Sequence, residues 1–199
     1  MAKIAWKGGA LLAPVPPALI TTACGDVRDI MTAAWTGMLS TVPPKTYVSV
    51  RPSRLTHELI AQSGCFVLNL PTEALARATD FCGCRSGREL DKFAACALET
   101  EPSPVLGLPM LKASPVALEC RVFETRALGS HDMFLADVVG ISVDDAFLDE
   151  RGKLRLDKAG ILAYCHGSYY GLGKFQGNFG FSVMKKKTAK KKAKGKPRP

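Results

Sequence analysis

The sequence lacks any run of about 18 apolar residues, the length that a membrane-spanning helix requires. Its first twelve residues also lack the sustained apolar stretch and the cleavage site of a secretory signal peptide. We therefore interpret Met1 as the start of the mature protein. We expect no membrane partner and a cytoplasmic location.

Two common catalytic signatures are also missing. No Gly-x-Gly-x-x-Gly follows an early strand, which disfavours a Rossmann dinucleotide domain, and no Gly-x-Ser-x-Gly nucleophile elbow is present. The three histidines, His57, His131 and His166, are far apart in the sequence and never form an i, i+4 pair. We predict no metal site.

Cysteine is present but not in the pattern of a disulfide framework. The seven cysteines are an odd number and are scattered through apolar segments, which is typical of free thiols in a reducing compartment. The tightest pair, Cys82 and Cys84, lacks Cys-x-x-Cys spacing. A structural role and a redox role both stay open for Cys84.

The net charge of +9 comes from one end of the chain. Residues 185–199 carry nine lysines and arginines and no acidic residue, whereas the preceding residues are balanced in charge. This pattern predicts a domain over residues 1–184 and a basic, disordered tail over residues 185–199. It favours no specific nucleic-acid partner for the domain.

Short β-branched and alternating segments predict a mainly β fold, a β-barrel with a few short helices. Residues 18–24, 29–36, 47–50, 65–70, 116–127 and 133–143 are predicted strands. Helices are predicted over residues 56–62, closed by Gly64, and over 72–81 and 86–97. We expect an irregular crossing at 37–44, because Pro43 and Pro44 exclude a helix, and a proline-rich loop at 101–115.

The most informative stretch is 46–60, where an apolar strand leads through a polar turn into a helix. Arg51, Ser53, Arg54 and Thr56 lie at this turn, with Thr56 as the predicted N-cap of the helix. Backbone N–H groups at a helix start, together with arginines, can bind a phosphate. The alternative is an ordinary strand-to-helix turn with solvated arginines.

The motifs around this turn resemble the flavin reductase-like family, in particular its flavoredoxin group. They are Met-Thr-Ala-x-Trp at 31–35, Ser-x-Arg followed by Thr at 49–56, Phe-Val-x-Asn-Leu-Pro at 66–71, and the Asp-x-Cys-Gly to Asp-Lys-Phe segment at 80–93. The resemblance covers about residues 14–183 and rests on the ordered set of motifs. It implies a split β-barrel that binds FMN without a covalent bond, as a homodimer with the flavin at the subunit interface.

The resemblance also implies which residues contact the cofactor. They are Thr32, Ala33, Ala34, Trp35, Thr36, Ser49, Val50, Arg51, Ser53, Arg54, Thr56, Asn69 and Lys92. Lys92 would neutralise reduced flavin, or would be a solvated helix residue. His131, in a Gly-x-His-x-x-Phe turn at 129–134, would position nicotinamide or the flavin edge, or would be an ordinary turn histidine. Core packing is the alternative for Trp35.

The implied activity is an NAD(P)H:flavin oxidoreductase, in which NADH or NADPH reduces the bound FMN. The electrons would then pass to free flavin, oxygen or a redox protein. Two alternatives remain: a non-enzymatic electron carrier of flavoredoxin type that a partner protein reduces, and a barrel that has lost turnover and acts through its basic tail.

Overall fold

The computed structural model describes residues 1–184, so the predicted tail at 185–199 lies outside the described residues. The strands are β1 Ala18–Cys24, β2 Val27–Ala33, β3 Thr36–Thr41, β4 Pro44–Val50, β5 Cys65–Asn69, β6 Thr100–Pro102, β7 Pro109–Leu111, β8 Val116–Ala127, β9 Asp132–Val143, β10 Leu162–Cys165 and β11 Ser168–Gly171. The α-helices are α1 Leu55–Ser63, α2 Ala76–Cys84 and α3 Lys92–Ala95. Short 3₁₀ turns occur at Glu73–Leu75, Asp145–Phe147, Leu156–Lys158 and Phe181–Val183.

Seven strands form one antiparallel sheet in the order β2-β1-β5-β8-β9-β4-β3. The two edge strands, β2 and β3, are consecutive in the chain, joined only by Ala34 and Trp35. Because two residues connect opposite edges, the sheet must curl until those edges meet. We call this junction the barrel seam. At this junction the Ser49 N–H of β4 donates to the Trp35 carbonyl at 2.9 Å, which extends the pairing of β3 with β4 by one residue. The predicted split β-barrel is confirmed.

The barrel interior is filled by side chains that alternate along each strand. In β4, Thr46, Val48 and Val50 are buried while the residues between them are partly exposed, as a strand with one inward face requires. Phe66 of β5 and Phe134 of β9 belong to the same core cluster and are almost fully buried. Burying one such aromatic side chain contributes roughly 1.5–3 kcal/mol.

Helix α1 packs against β1 and β2 and begins one residue earlier than predicted. Arg54 is its N-cap residue, so the prediction of Thr56 as N-cap is wrong. Thr56 lies within the first turn, where its buried hydroxyl donates to Asp29 Oδ2 at 2.5 Å. The predicted C-cap is confirmed: Gly64 has φ of 67° and its N–H donates to the Ile60 carbonyl.

Three predicted segments differ from the structure. Residues 36–41 form β3 rather than an irregular crossing. The hairpin with β4 is possible because Pro44 is the first residue of β4, where a missing N–H group breaks no hydrogen bond of the sheet. The helix predicted at 86–97 is reduced to Lys92–Ala95, which Asp91 caps by accepting two N–H bonds. The loop at 101–115 contains the β6–β7 hairpin.

Within residues 1–184, no helix is both long and apolar enough to cross a membrane.

Candidate functional site

A cavity of about 340 Å³ opens at the barrel seam. Its wall combines the end of β2, the turn before α1, the end of α2, the turn before β9 and the β10–β11 hairpin. The lining residues are Pro17, Met31, Thr32, Ala33, Ala34, Trp35, Ser49, Arg51, Arg54, Asp80, Gly83, Cys84, His131, Tyr164, Gly167 and Tyr169. Eight of the fourteen predicted site residues therefore lie on one cavity.

The seam itself forms the cavity wall with small side chains. Ala33 is nearly buried, and Ala34 follows it outside the regular ladder of β2. Thr32 is oriented by its hydroxyl, which donates to the Thr79 carbonyl of α2. Small side chains leave the backbone N–H and C=O groups within reach of a flat ligand, and Trp35 adds an aromatic side chain beside them.

The two arginines of the predicted phosphate turn differ in their surroundings. Arg51 is exposed at the cavity. Arg54 reaches across to the end of α2, where Nη2 donates to the Gly83 carbonyl at 2.6 Å and Nη1 donates to the Arg85 carbonyl at 3.3 Å. A cation at a helix C-terminus is favourable because the carbonyl ends carry partial negative charge. Arg54 thus joins the turn to α2.

His131 lies on the same cavity, next to a firmly held residue. Its Nδ1 is 2.9 Å from Ser130 Oγ. Partial burial, and then the positive charge of Arg51, lower the pKa of His131 below its ordinary value. The neighbouring Asp132 contacts His57 Nε2 of α1 at 2.8 Å, which fixes the start of β9 against that helix.

Two tyrosines of the β10–β11 hairpin complete the wall, and the sequence analysis did not identify them. The rings of Tyr164 and Tyr169 lie 5.4 Å apart at 58°. Burial, and then the nearby Asp80 carboxylate, raise the pKa of Tyr169 to about 12, so its phenol stays protonated at neutral pH. The only sequence signal was the Gly- and Tyr-rich composition of this segment.

Six predicted site residues lie outside the cavity. Val50 is a core residue of the barrel, Thr36 is buried with its hydroxyl donated to the Tyr47 carbonyl, and Ser53 is exposed on the turn. Asn69 is fully buried, where its amide donates to the Leu19 carbonyl and accepts from the Leu111 N–H. Thr56 and Lys92 are the other two.

Lys92 and Thr56 share a buried carboxylate instead. The Lys92 ammonium lies 3.0 Å from Asp29 Oδ1, with only 1% of the lysine side chain and 4% of the aspartate side chain exposed. Thr56 donates to the other oxygen of Asp29. The alternative of a solvated Lys92 is therefore wrong. The motif could not show this, because the partner is far away in the sequence, on β2.

Comparison with known proteins agrees with the fold and the motifs. The model of the family described as "Flavin reductase like domain" matches residues 11–173. The chain belongs to the flavin reductase-like family. This confirms the resemblance inferred from the seam, turn and strand motifs.

Curated proteins and solved structures resemble this chain over most of its length. Flavoredoxin of Desulfovibrio vulgaris (Miyazaki F) superposes with a TM-score of 0.85 at 27% identity, covering 92% of this chain and 100% of that one. The FMN-binding protein of Thermus thermophilus, with bound 1-cyclohex-2-enone, gives 0.76 at 27% identity over 89% and 97%. FMN reductase (NADH) RutF of Stutzerimonas stutzeri is 24% identical over 77% of this chain and 79% of its own length.

The cavity offers a positive charge and small side chains on one wall. Arg51 is an exposed cation at one side of the cavity, suited to a phosphate. The seam offers backbone groups beside small side chains, suited to the polar edge of a flat ring system. Among residues 1–184, no second phosphate-binding turn that could take a pyrophosphate lines the cavity, where the glycines Gly83 and Gly167 stand singly. This arrangement fits a mononucleotide.

Proposed function

We propose that the chain binds FMN non-covalently in the seam cavity and reduces it with NADH or NADPH, passing the electrons to a flavin or protein acceptor. The observation that carries the proposal is the convergence of Arg51, the small-residue seam and His131 on one cavity. Family membership and the similarity to FMN reductase (NADH) RutF support it.

In this proposal the protein holds the cofactor in position, and the cofactor supplies the redox chemistry. Arg51 would hold the phosphate, and Arg54 would keep the turn in place through its two bonds to α2. The backbone from Thr32 to Trp35 would bind the ring edge. Bound FMN would supply hydride acceptance and electron delivery.

His131 would orient the nicotinamide by hydrogen bonding rather than by exchanging a proton. Its lowered pKa keeps the imidazole neutral at pH 7, so one ring nitrogen donates while the other accepts. Hydride transfer to a flavin needs no acid or base at this position.

The proposal is tested by the visible spectrum of the purified protein followed by anaerobic mixing with NADH or NADPH. We expect an oxidised flavin spectrum, release of FMN rather than FAD on acid precipitation, and direct bleaching by one pyridine nucleotide. A colourless protein that also fails to bind added FMN would refute the cofactor assignment.

The second candidate function is a flavoredoxin-type electron carrier, which the structural similarity to flavoredoxin favours. The same anaerobic experiment separates the two. A carrier holds FMN but is not bleached by either pyridine nucleotide until a reducing partner protein is added.

We further propose that the protein is a homodimer. Exposed apolar side chains on β3, β8 and β9 support this proposal, since Met38, Phe123 and Ile141 are each about half exposed. Light scattering at micromolar concentration should give twice the monomer mass. A monomer with a full complement of FMN would contradict the proposal that the interface contributes to the site.

A further inference from the structure

Two cysteines outside the cavity pack into one cluster between β1, β2, α2 and the residues after α3. Cys82 of α2 is fully buried there together with Leu19 and Phe93, and Cys96 packs against the same cluster as a half-buried residue. The helix α3 separates them in sequence, so their proximity arises only from the fold.

The two thiols are unequal in access. Cys96 borders a groove of about 760 Å³ between α2 and residues 95–99, whereas Cys82 lies inside the protein. Burial raises the pKa of Cys82 to about 12, with the nearby Cys96 thiol as the next cause and the Lys92 ammonium acting in the opposite direction. A reagent in solvent therefore meets Cys96 first.

We propose that Cys82 and Cys96 are an oxidation site, a dithiol that forms an intramolecular disulfide when a hydroperoxide reaches Cys96 through the groove. Each side chain projects from a different segment into one cluster, and the Cys96 thiol is close enough to Cys82 to affect its pKa. The fold therefore makes neighbours of two thiols that are distant in the sequence, which is the first condition for a disulfide between them. The site does not depend on the proposed flavin function.

The reaction proceeds in two balanced steps. The Cys96 sulfur attacks the hydroperoxide, which gives a sulfenic acid on Cys96 and releases water, or the alcohol of an organic hydroperoxide. The Cys82 sulfur then attacks the sulfenic sulfur, the S–S bond forms, and a second water leaves. The oxidant accepts two electrons, and a small dithiol reductant restores both thiols by exchange.

The oxidation is best followed in a Cys84→Ser background of the full chain. Trypsin leaves Cys82 and Cys84 together in the peptide 78–85, whereas Cys96 is alone in the peptide 93–112, so removing Cys84 makes the assignment unique. The reduced protein is treated with hydrogen peroxide, blocked with N-ethylmaleimide and digested. We expect a cross-link between the two peptides, and an intact mass about 2 Da lower for the two lost hydrogens.

Matched variants make the result decisive. Cys96→Ser should abolish the cross-link, and Cys82→Ala should leave Cys96 oxidised but not cross-linked. Cys120→Ser is the control, since Cys120 is equally buried and lies near Cys65 inside the barrel. It should retain the cross-link. Circular dichroism confirms that each variant is folded.

Three results would overturn the proposal. The first is no cross-link between peptides 78–85 and 93–112 in the folded protein. The second is a cross-link equally abundant in urea-unfolded protein, which would show random pairing. The third is an unchanged mass loss in Cys96→Ser, which would place the disulfide elsewhere.

Discussion

Replacing Lys92 with methionine tests the buried ion pair between α3 and β2. The ammonium and the Asp29 carboxylate are 3.0 Å apart and almost fully buried. Methionine keeps an unbranched chain of similar length but removes the charge. Within residues 1–184, the buried Asp29 carboxylate would then keep the Thr56 hydroxyl as its one side-chain partner. Removing one member of a buried pair costs about 3–5 kcal/mol, because the other charge is left uncompensated.

The free energy of unfolding can be measured by urea denaturation followed by circular dichroism. For a chain of this size, each kcal/mol lost at the midpoint lowers the Tm by roughly 2–4 °C. Lys112→Met is the matched control, since Lys112 pairs with Glu99 at 3.2 Å but both side chains are at least half exposed. It should change stability by no more than about 1 kcal/mol.

A double variant separates the charge from the packing. Asp29→Asn combined with Lys92→Met removes both charges and keeps an amide oxygen at position 29 that can accept the Thr56 hydroxyl. The double variant should therefore lose less stability than the sum of the losses in the two single variants. The reasoning would be refuted if Lys92→Met were as stable as Lys112→Met. The FMN content of folded Lys92→Met tests separately the family-based assignment of Lys92 to the cofactor.

Four further predictions concern the site and the barrel. Arg51→Ala should weaken FMN binding by roughly 1.5–3 kcal/mol, measured by titrating the apoprotein with FMN. The control is Arg88→Ala, since the Arg88 guanidinium pairs with Glu58. Equal FMN affinities of the two variants would contradict the assignment of Arg51 to the phosphate. An NMR titration should give His131 a pKa below 6.5 that rises in Arg51→Gln, whereas no change would exclude Arg51 as a cause. Its lowered pKa means that folding is penalised as the pH falls below 6.5, so His131→Gln should lose less stability between pH 7 and 5 than the parent. Glu119→Ala should lower the free energy of unfolding, measured by urea denaturation, by about 1–3 kcal/mol. The reason is that the buried Glu119 carboxylate accepts hydrogen bonds from the N–H groups of Val105 and Leu106. Glu119→Gln, which keeps an acceptor oxygen, should lose less stability.

The regular strands and the cavity wall near the turn could be predicted because their signals are local. The alternation in β8 predicted its bounds, Val116–Ala127, and Gly64 marked the end of α1. The family resemblance assigned Thr32 to Trp35 and Arg51 to one cofactor site, and the structure brings them to one cavity.

The remaining features depend on contacts between distant residues. Nothing near Lys92 in the sequence indicates that Asp29 of β2 is its partner. Tyr164 and Tyr169 reach the cavity only because the hairpin that carries them lies outside the main sheet and folds back over the seam. Patterns of period two or 3.6 describe one element at a time, so they carry no information on such pairings.

The bonds of Arg54 to the end of α2 have a thermodynamic consequence. An arginine side chain carries about 2 kcal/mol of rotamer entropy, and two bonds to fixed carbonyls have already restricted it before any anion arrives. When a ligand binds, the Arg51 side chain would then be the one that loses most conformational freedom. The loss of entropy on binding is smaller for such a preorganised turn than for two freely rotating arginines. Calorimetry would therefore measure a less unfavourable entropy of association.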